Sequence, residues 1–265
     1  MSNGSTTPAV AWEQLSYSAI RDCGERSGSI LVVPIGSIEQ HGTHLPVGTD
    51  TLLVDAVGAA GAERLSDSIP LLVTPPIWTG FSPHHMSFGG TITLEHSHMM
   101  CLLEDVCASA LENGFDALVL LNGHGGNMPV IDSLVSTVGV SNPDTQILGT
   151  TYFTLVKDAI GDVRESEIGG MAHGGEFETS LMMHLYPELV GDNPEGTMMD
   201  EPYEEAGQDL HDGGVLSVYR GFEEYSRSGA IGAPELANEK KGKIMFERII
   251  DEFSSLLADV HEENR

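Results

Sequence analysis

LVVPIGSIEQHGTHLPVGTDT, residues 31–51, contains the two features that decide the fold of this chain. Its first residues form an apolar run of the kind that fills a buried parallel strand. The run gives way to a polar loop that carries Glu39, His41 and Asp50. In open α/β sheets, ligands bind beyond the carboxyl ends of the strands. The stretch therefore predicts a buried strand followed by a loop that supplies half of a metal centre.

Strand-like and helix-like segments alternate on both sides of this stretch. The pattern predicts strands at 31–35, 69–74, 91–94, 117–121 and 146–153. It predicts helices at 12–23, 50–65, 95–113, 128–138, 178–189 and 234–264, the last with a weak point at Gly242. Such alternation is typical of a three-layer α/β/α fold with a mostly parallel central sheet. Residues 191–232 lack periodicity and are predicted mainly as surface loops, with room for one short strand pair. No repeat or linker interrupts the chain, so we expect a single domain over residues 1–265.

The chain is strongly acidic, with 40 acidic residues against 12 basic ones and a net charge of −28. The acidic residues are spread along the whole length, which predicts an acidic surface and adaptation to a high-salt cytoplasm. Recruitment of a basic partner is the weaker alternative. Nucleic-acid binding is disfavoured because the sequence has no basic stripe to displace counterions.

The remaining composition indicates a cytoplasmic protein. The three cysteines, Cys23, Cys101 and Cys107, are too few and too irregularly spaced for a disulfide framework or a zinc knuckle. Cys101 and Cys107 lie in an apolar helical pattern and are predicted to be core residues. The N-terminal residues do not resemble a signal peptide. No apolar run is long enough to span a membrane.

Glu39 and His41 are the first candidate metal ligands. Residues two apart on an extended chain point to the same side, so both can face one pocket while Gln40 faces away. Asp50 follows at the start of the next predicted helix. Two carboxylates and an imidazole suit zinc, manganese or iron. The alternative is that Asp50 is a helix cap and His41 a plain loop residue.

NGHGGN, residues 122–127, follows another predicted buried strand and places His124 at the same edge of the sheet. The glycines permit close approach of the backbone, whose N–H groups could bind an oxyanion. Asn127 is predicted to cap the next helix. The alternative is a tight turn in which His124 is incidental.

HGGEFETS, residues 173–180, contains His173, Glu176 and Glu178 just before or within a helix start. Two residues on a helix are about 200° apart, so only one of the two carboxylates can face the pocket. The spacing does not decide which one. The alternative is that both glutamates serve the helix dipole.

These segments, together with FGGTITL at residues 88–94, resemble in their order the motifs of the creatininase family of amidohydrolases. The resemblance spans residues 36–180. It implies an α/β fold, a site for two divalent metal ions and assembly as a homo-oligomer, commonly a hexamer. It implies that Glu39, Asp50 and His124 hold one ion, and that His41 and a bridging Asp50 hold the second.

One position departs from creatininase itself. Creatininase takes the remaining carboxylate two residues after the histidine of its NGH motif, where this chain has Gly126. The resemblance to relatives with NGHGGN implies that Glu178 replaces it and that Glu176 faces solvent or lies behind the ligands. Three carboxylates and a bridging hydroxide would neutralise two divalent ions, whereas losing Glu178 would leave a buried net charge.

The resemblance implies a metal-dependent hydrolase that cleaves a carbon–nitrogen amide-type bond, other than an ordinary peptide bond, in a small molecule by a metal-activated hydroxide. His173 and Glu178 are the residues expected to act in catalysis, with His173 protonating the leaving nitrogen. The remaining motif histidines, His44, His84 and His85, are predicted mainly to support the site, with substrate contact as the alternative.

The sequence does not identify the substrate. Creatininase encloses creatinine with tryptophans, one of them just ahead of the histidine that matches His173. This chain has only Trp12 and Trp78, and Met171 lies in that region, which disfavours creatinine. The alternatives are a deformylase of a formylamino-pyrimidine ribonucleotide in flavin and deazaflavin synthesis, a peptidase of the mycofactocin precursor, and a non-catalytic metal-binding protein.

Overall fold

A computed structural model of the protein describes residues 10–157, 159–211 and 214–265. The polar segment 1–8, expected to be loose, lies outside the described residues. Four strands form one sheet, namely β1 (Ile30–Ile35), β2 (Leu71–Val73), β3 (Ala117–Asn122) and β4 (Gln146–Thr151). All pairs are parallel, and the order is β2-β1-β3-β4.

Helices follow the strands on both sides of the sheet. They are α1 (Tyr17–Gly24), α2 (Thr49–Leu65), α3 (His96–Leu111), α4 (Met128–Ser141), α5 (Glu176–Leu185), α6 (Phe222–Tyr225) and α7 (Glu239–Glu263). The fully buried side chains of β1 alternate between two cores, because successive residues of a strand point to opposite faces. Ile30 and Val32 join the core under α2, α5 and α7, whereas Leu31 and Val33 join the core under α3 and α4. The predicted three-layer α/β/α architecture is confirmed.

The carboxyl ends of three neighbouring strands lie at one level of the sheet. Ile35 at the end of β1 pairs with Asn122 of β3, and Asn122 pairs with Thr151 of β4. The segments that leave these strands therefore start side by side. This register brings residues that are distant in sequence to one edge of the sheet.

The predicted strand at 91–94 is wrong. Ile92 and Thr93 form only isolated bridges, to Ile38 and Gly80 respectively. The Thr93 hydroxyl accepts a hydrogen bond from the backbone N–H of Ser82. The segment thus fastens two loops at the edge of the site and adds no strand to the sheet.

Two helix starts differ from the prediction. α5 begins at Glu176, so Glu176 and Glu178 both lie in its first turn. The final helix begins at Glu239, where the Asn238 side chain accepts a hydrogen bond from the Lys241 N–H, and not at residue 234. Gly242 is not a weak point: a Cβ there would lie 1.8 Å from the Ser180 carbonyl oxygen, so glycine permits the close packing of α5 on α7.

The described residues between 191 and 232 are largely loops, as predicted. A bridge joins Thr197 to Ile231, and α6 is the short helix within them. Cys107 is buried as expected, but Cys101 is exposed because it lies on the outer face of α3. Among the described helices, none is long and apolar enough to cross a membrane.

Candidate metal centre

Asp50 lies between two histidines at the start of α2. Its Oδ1 is 3.0 Å from His41 Nε2, and its Oδ2 is 3.1 Å from His124 Nδ1. All three side chains are buried. The aspartate therefore offers one oxygen to each of two adjacent groups, and it is more than a helix cap.

His124 leaves the end of β3 with a fixed ring orientation. The Asn122 side chain holds its backbone, accepting from the His124 N–H and donating to the His124 carbonyl. His124 Nε2 is 3.2 Å from the Phe81 carbonyl oxygen, which only accepts hydrogen bonds, so this nitrogen carries the proton in the neutral ring. His124 Nδ1 is then the atom directed at the carboxylates, 3.0 Å from Glu39 Oε2.

His41 is oriented in the same way. Its Nδ1 lies 3.1 Å from the Glu39 carbonyl oxygen, which leaves Nε2 directed at two carboxylates. These are Asp50 at 3.0 Å and Glu178 Oε1 at 3.7 Å. Metal-binding histidines commonly donate their second nitrogen to a carbonyl or carboxylate, and both rings show this arrangement.

The two glutamates of α5 have different surroundings. Glu178 faces His41, and its Oε2 accepts a 2.6 Å hydrogen bond from the Gly174 N–H. Glu176 is also buried, but it pairs with Lys241 Nζ at 2.6 Å. The structure thus brings Glu178, and not Glu176, to the histidines. Of the two positions expected for Glu176, facing solvent or behind the ligands, its burial excludes the first.

His173 lies against the same cluster. Its ring centroid is 4.1 Å from that of His41, and its Nδ1 is 3.6 Å from Glu39 Oε1. Its Nε2 lies 2.6 Å from the Gln40 carbonyl oxygen, so the neutral ring carries its proton on Nε2. The unprotonated Nδ1 then points toward the carboxylates.

Gln40 does not face away from the site. Its Oε1 accepts from the Gly42 N–H, and its Nε2 donates to the Gly229 carbonyl and to His85 Nδ1. These partners fix the orientation of the amide, and the tautomer of His85 follows from it. His85 Nε2 is accordingly the protonated atom, 3.1 Å from Glu39 Oε1.

Sequence reasoning missed Ser82 and Phe222. The Ser82 hydroxyl donates a 2.7 Å hydrogen bond to Glu39 Oε2, and the Phe222 ring lies 4.2 Å from the His85 ring. The position of Ser82 two residues before the adjacent histidines His84 and His85 could have suggested it. Phe222 belongs to the aperiodic segment, and no local pattern marks it.

The other motif histidines and Asn127 fasten the loops. His44 Nε2 lies 2.9 Å from the Thr179 hydroxyl, and the His84 ring contacts the rings of its neighbours. Asn127 does not cap α4; its amide accepts from the Phe81 N–H and donates to the Gly36 carbonyl. It therefore ties the loops after β1 and β2 to the turn after β3.

The carboxylates dominate the electrostatics. Burial alone would lower the pKa of His41, but Asp50 and Glu178 outweigh it and raise that pKa well above its usual value. Burial also opposes protonation of His124, yet Glu39 and Asp50 raise its pKa to about 10. Burial would raise the pKa of Glu39, but His124 and His85 hold it well below its usual value. The site favours cations, and a divalent ion would displace the bound protons.

His173 shows the opposite behaviour. Burial, followed by the nearby rings of His41 and His85, holds its pKa well below the usual value. The pKa values of His44 and His84 are likewise lowered, to about 4 and about 3 respectively, chiefly by burial. The centre thus combines histidines that favour a cation with histidines that stay neutral.

Three groups of described residues could hold a metal ion, with ligand atoms within 4.8 Å of one another. They are Glu39–Asp50–His124, His41–His173–Glu178 and Glu39–His85–His173. The residues fit a metal because buried carboxylate oxygens and imidazole nitrogens, the ligands that zinc, manganese and iron accept, converge in each group. A Cβ at Gly126 would lie 2.4 Å from His124 Nε2, so no side chain at that position can serve as a ligand here.

This fold and site define a class: α/β/α proteins with a metal-capable carboxylate–histidine centre at the carboxyl ends of a parallel sheet. The sequence profile described as creatinine amidohydrolase (creatininase) matches residues 13–257. The mycofactocin precursor peptide peptidase of Mycobacterium ulcerans is 33% identical over 86% of this chain and 84% of that protein. The 3-dehydro-scyllo-inosose hydrolase of Thermotoga maritima is 28% identical over 88% and 78% respectively.

Solved structures agree with this classification. A crystal structure of creatinine amidohydrolase superposes with a TM-score of 0.81 at 25% identity, covering 95% of this chain and 98% of that one. A creatininase structure with manganese superposes with a TM-score of 0.79 at 26% identity, covering 97% and 99%. The chain belongs to the creatininase family, and it is a hydrolase of carbon–nitrogen amide-type bonds.

Proposed function

We propose that this protein is a dinuclear-metal-dependent amidohydrolase of a small molecule. The observation that supports it is the position of Asp50, with one oxygen toward His41 and the other toward His124. Glu39, Asp50 and His124 would hold one divalent ion, and His41, Asp50 and Glu178 would hold the second. Zinc, manganese and iron suit these ligands.

Two bound ions lower the pKa of a water molecule and polarise the substrate carbonyl. The side chains of this protein have three further tasks. Glu39, Asp50 and Glu178 balance most of the cationic charge in a buried site. The backbone carbonyls of Phe81 and Glu39 fix the rings of the two ligand histidines. A fixed ring keeps each ligand nitrogen in place without reorganisation.

His173 is the proposed proton carrier. Its Nε2–H donates to the Gln40 carbonyl, so Nδ1 is free to accept a proton at the cluster. Burial, with the nearby His41 and His85, lowers its pKa and keeps the ring neutral before reaction. A proton taken at Nδ1 can then pass to the leaving nitrogen, which completes the cleavage of the amide bond.

Peptide-like amides are the preferred substrates in this proposal. The mycobacterial relative acts on a peptide precursor and matches most of the chain. Met171 is fully buried, and the aromatic ring packed on His85 and His173 is Phe222, which disfavours creatinine held by tryptophans. A formylated amine remains the alternative to be included in the substrate screen.

The experiment combines metal content with turnover. Protein purified in molar salt is loaded with zinc, manganese or iron and offered creatinine, a formylamino-pyrimidine nucleotide and short peptides. About two ions per chain with hydrolysis of an amide is the expected result. A protein that binds no metal, and whose stability is unaltered by Asp50→Ala, would remove the proposal and favour a different function.

The working environment of the enzyme is part of the proposal. A net charge of −28 with only 12 basic residues favours a salt-adapted cytoplasmic enzyme, and the family resemblance favours a homo-oligomer. Activity should collapse at low potassium chloride because unscreened carboxylates repel one another. Light scattering in molar salt gives the oligomeric state, for which a hexamer is expected.

A further inference from the structure

A cavity of about 200 Å³ lies beside His173, between the aperiodic loops and the turn that precedes α5. The apolar part of its wall consists of Ala172, Met199, Ala206, Leu210, Phe222 and Ile231. The cavity is formed largely by the segment 199–231, which contributes no proposed metal ligand. Its composition contrasts with the acidic surface of the protein.

Of the described residues that line the cavity, none presents a free charge, and Gln208 is the uncharged polar side chain among them. Asp209 is the charged residue of its wall, and its carboxylate is already engaged. Its Oδ1 accepts from the N–H groups of Gly169 and Met171, and its Oδ2 pairs with Arg164 at 2.7 Å. A charged group placed here would lose its hydration without gaining an ionic partner. The cavity therefore suits an uncharged, apolar group.

His173 belongs both to the wall of the cavity and to the candidate metal centre. Its Nδ1 is 3.6 Å from Glu39 Oε1, and the Phe222 ring centroid is 5.0 Å from its own ring centroid. Phe222 also packs on His85, at 4.2 Å between ring centroids. A molecule whose amide reaches the centre can place a neighbouring substituent in the cavity, because one imidazole ring separates the two.

We propose that this cavity binds an apolar side chain next to the scissile bond, so that the substrates are amides with a branched aliphatic or aromatic substituent. The inference rests on the proposed amidohydrolase function and specifies its substrate class. Pockets for whole drug-sized ligands measure about 300–1,000 Å³, so a cavity of about 200 Å³ matches a single substituent. It disfavours polyhydroxylated and charged substituents.

N-acetylated amino-acid amides test this with one set of probes. Each has the side chain on the amine side of its acetyl amide and on the acyl side of its terminal amide. Release of acetate or of ammonia identifies the bond that is cleaved. On the metal-loaded protein, the leucine or phenylalanine compound should exceed the glycine compound in kcat/KM by about 100-fold. The aspartate compound should be slower than glycine.

Ala206→Phe fills the cavity. It should bring the ratio of kcat/KM for the leucine compound to kcat/KM for the glycine compound from about 100 to near 1. Ala108→Phe is the matched control, because Ala108 is exposed on α3, away from the centre, and should leave the ratio unchanged. Binding of the same probes, measured by calorimetry on the metal-loaded protein, gives a readout that does not require turnover.

Different results would overturn the cavity assignment and the proposed amidohydrolase function. Equal kcat/KM and equal affinity for the leucine and glycine compounds would overturn the cavity assignment while leaving the amidohydrolase intact. A leucine preference that persists in Ala206→Phe would also overturn it. Failure to bind metal ions, or to cleave any amide in the wider screen, would instead contradict the proposed function.

Discussion

Glu39, Asp50 and His124 lie at strand ends and at the start of α2, whereas His173 and Glu178 lie on a turn and helix outside the sheet. The first set is positioned by the pairing of β1 with β3, which ends at Ile35 and Asn122. The second set has no strand beneath it. Its position depends on contacts between side chains that are far apart in sequence.

Two ion pairs hold the turn and the helix that carry His173 and Glu178. Glu176 binds Lys241 and accepts from the N–H groups of Glu165 and Ser166. Asp209, paired with Arg164, holds the backbone of the turn ahead of His173. The comparison shows that sheet formation fixes one half of the centre, while buried charge pairs in loops and helices fix the other.

Replacing the residue shared by the two metal sites should have the largest effect. Asp50→Asn removes a carboxylate placed toward both His41 and His124, so both ions should be lost or weakened. Each ion stabilises the transition state by several kcal/mol, which predicts a loss of kcat of about 10⁴-fold. Steady-state kinetics and metal analysis measure it. Asp55→Asn, on the exposed face of the same helix, is the control and should leave both unchanged.

His173→Asn tests the role of the turn before α5 without removing a proposed metal ligand. The variant should lose about 10²-fold or more in kcat, because general acid–base catalysis contributes about 10²–10⁴-fold. Its metal content should equal that of the wild type. Loss of an ion together with activity would show that His173 is a ligand, in keeping with its place in two of the metal-capable groups.

Breaking the Glu176–Lys241 pair should mainly affect stability. Glu176→Gln leaves the buried Lys241 ammonium with the exposed Glu165 carboxylate, 3.1 Å away, as its ionic partner, and should cost about 2 kcal/mol in the free energy of unfolding. The double variant with Lys241→Met should recover part of that loss, since no unpaired charge remains. Denaturant unfolding in molar salt measures both, and equal stability of the single variant and the wild type would contradict the assigned role.

The pH dependence of the metal-free protein should be the smallest effect. His41 and His124 have raised pKa values, so their stabilisation is present below about 6.5 and is lost at higher pH, for His124 as the pH rises toward about 10. His44, His84 and His173 have lowered pKa values. Their stabilisation is present above about 6.5 and is lost as pH falls toward about 4 and about 3 for the first two.

Thermal unfolding of metal-free protein should therefore show a maximum near neutral pH. Loading with metal should remove the alkaline decline, because the ions replace the protons on His41 and His124. An alkaline decline that is the same with and without metal would mean that these two histidines do not bind the ions.

The sequence was most informative where parallel strands align. The three apolar runs at 31–35, 117–121 and 146–153 predicted the sheet, and its register brought Asp50 and His124 together. The partners of Gln40 and Asn127 could not be predicted in this way. Gln40 binds Gly229, 189 residues away, and Asn127 binds Gly36, 91 residues away.

Which of Glu176 and Glu178 faces the histidines could not be predicted from the sequence either, because the answer depends on a distant partner. Both residues lie in one helical turn, and their spacing shows only that they face different directions. Lys241, 65 residues after Glu176, occupies the other direction. Local spacing contains no information about such a partner, and the aperiodic segment around Phe222 likewise gave no pattern to interpret.

Metal content of Glu178→Gln measured beside Glu176→Gln tests the central claim most directly. Both variants remove one buried carboxylate charge from the first turn of α5, so they are matched in position and chemistry. The expected result, by mass spectrometry of the metal-loaded proteins, is about one ion per chain in Glu178→Gln and about two in Glu176→Gln. Two ions in Glu178→Gln and one in Glu176→Gln would contradict the proposed centre.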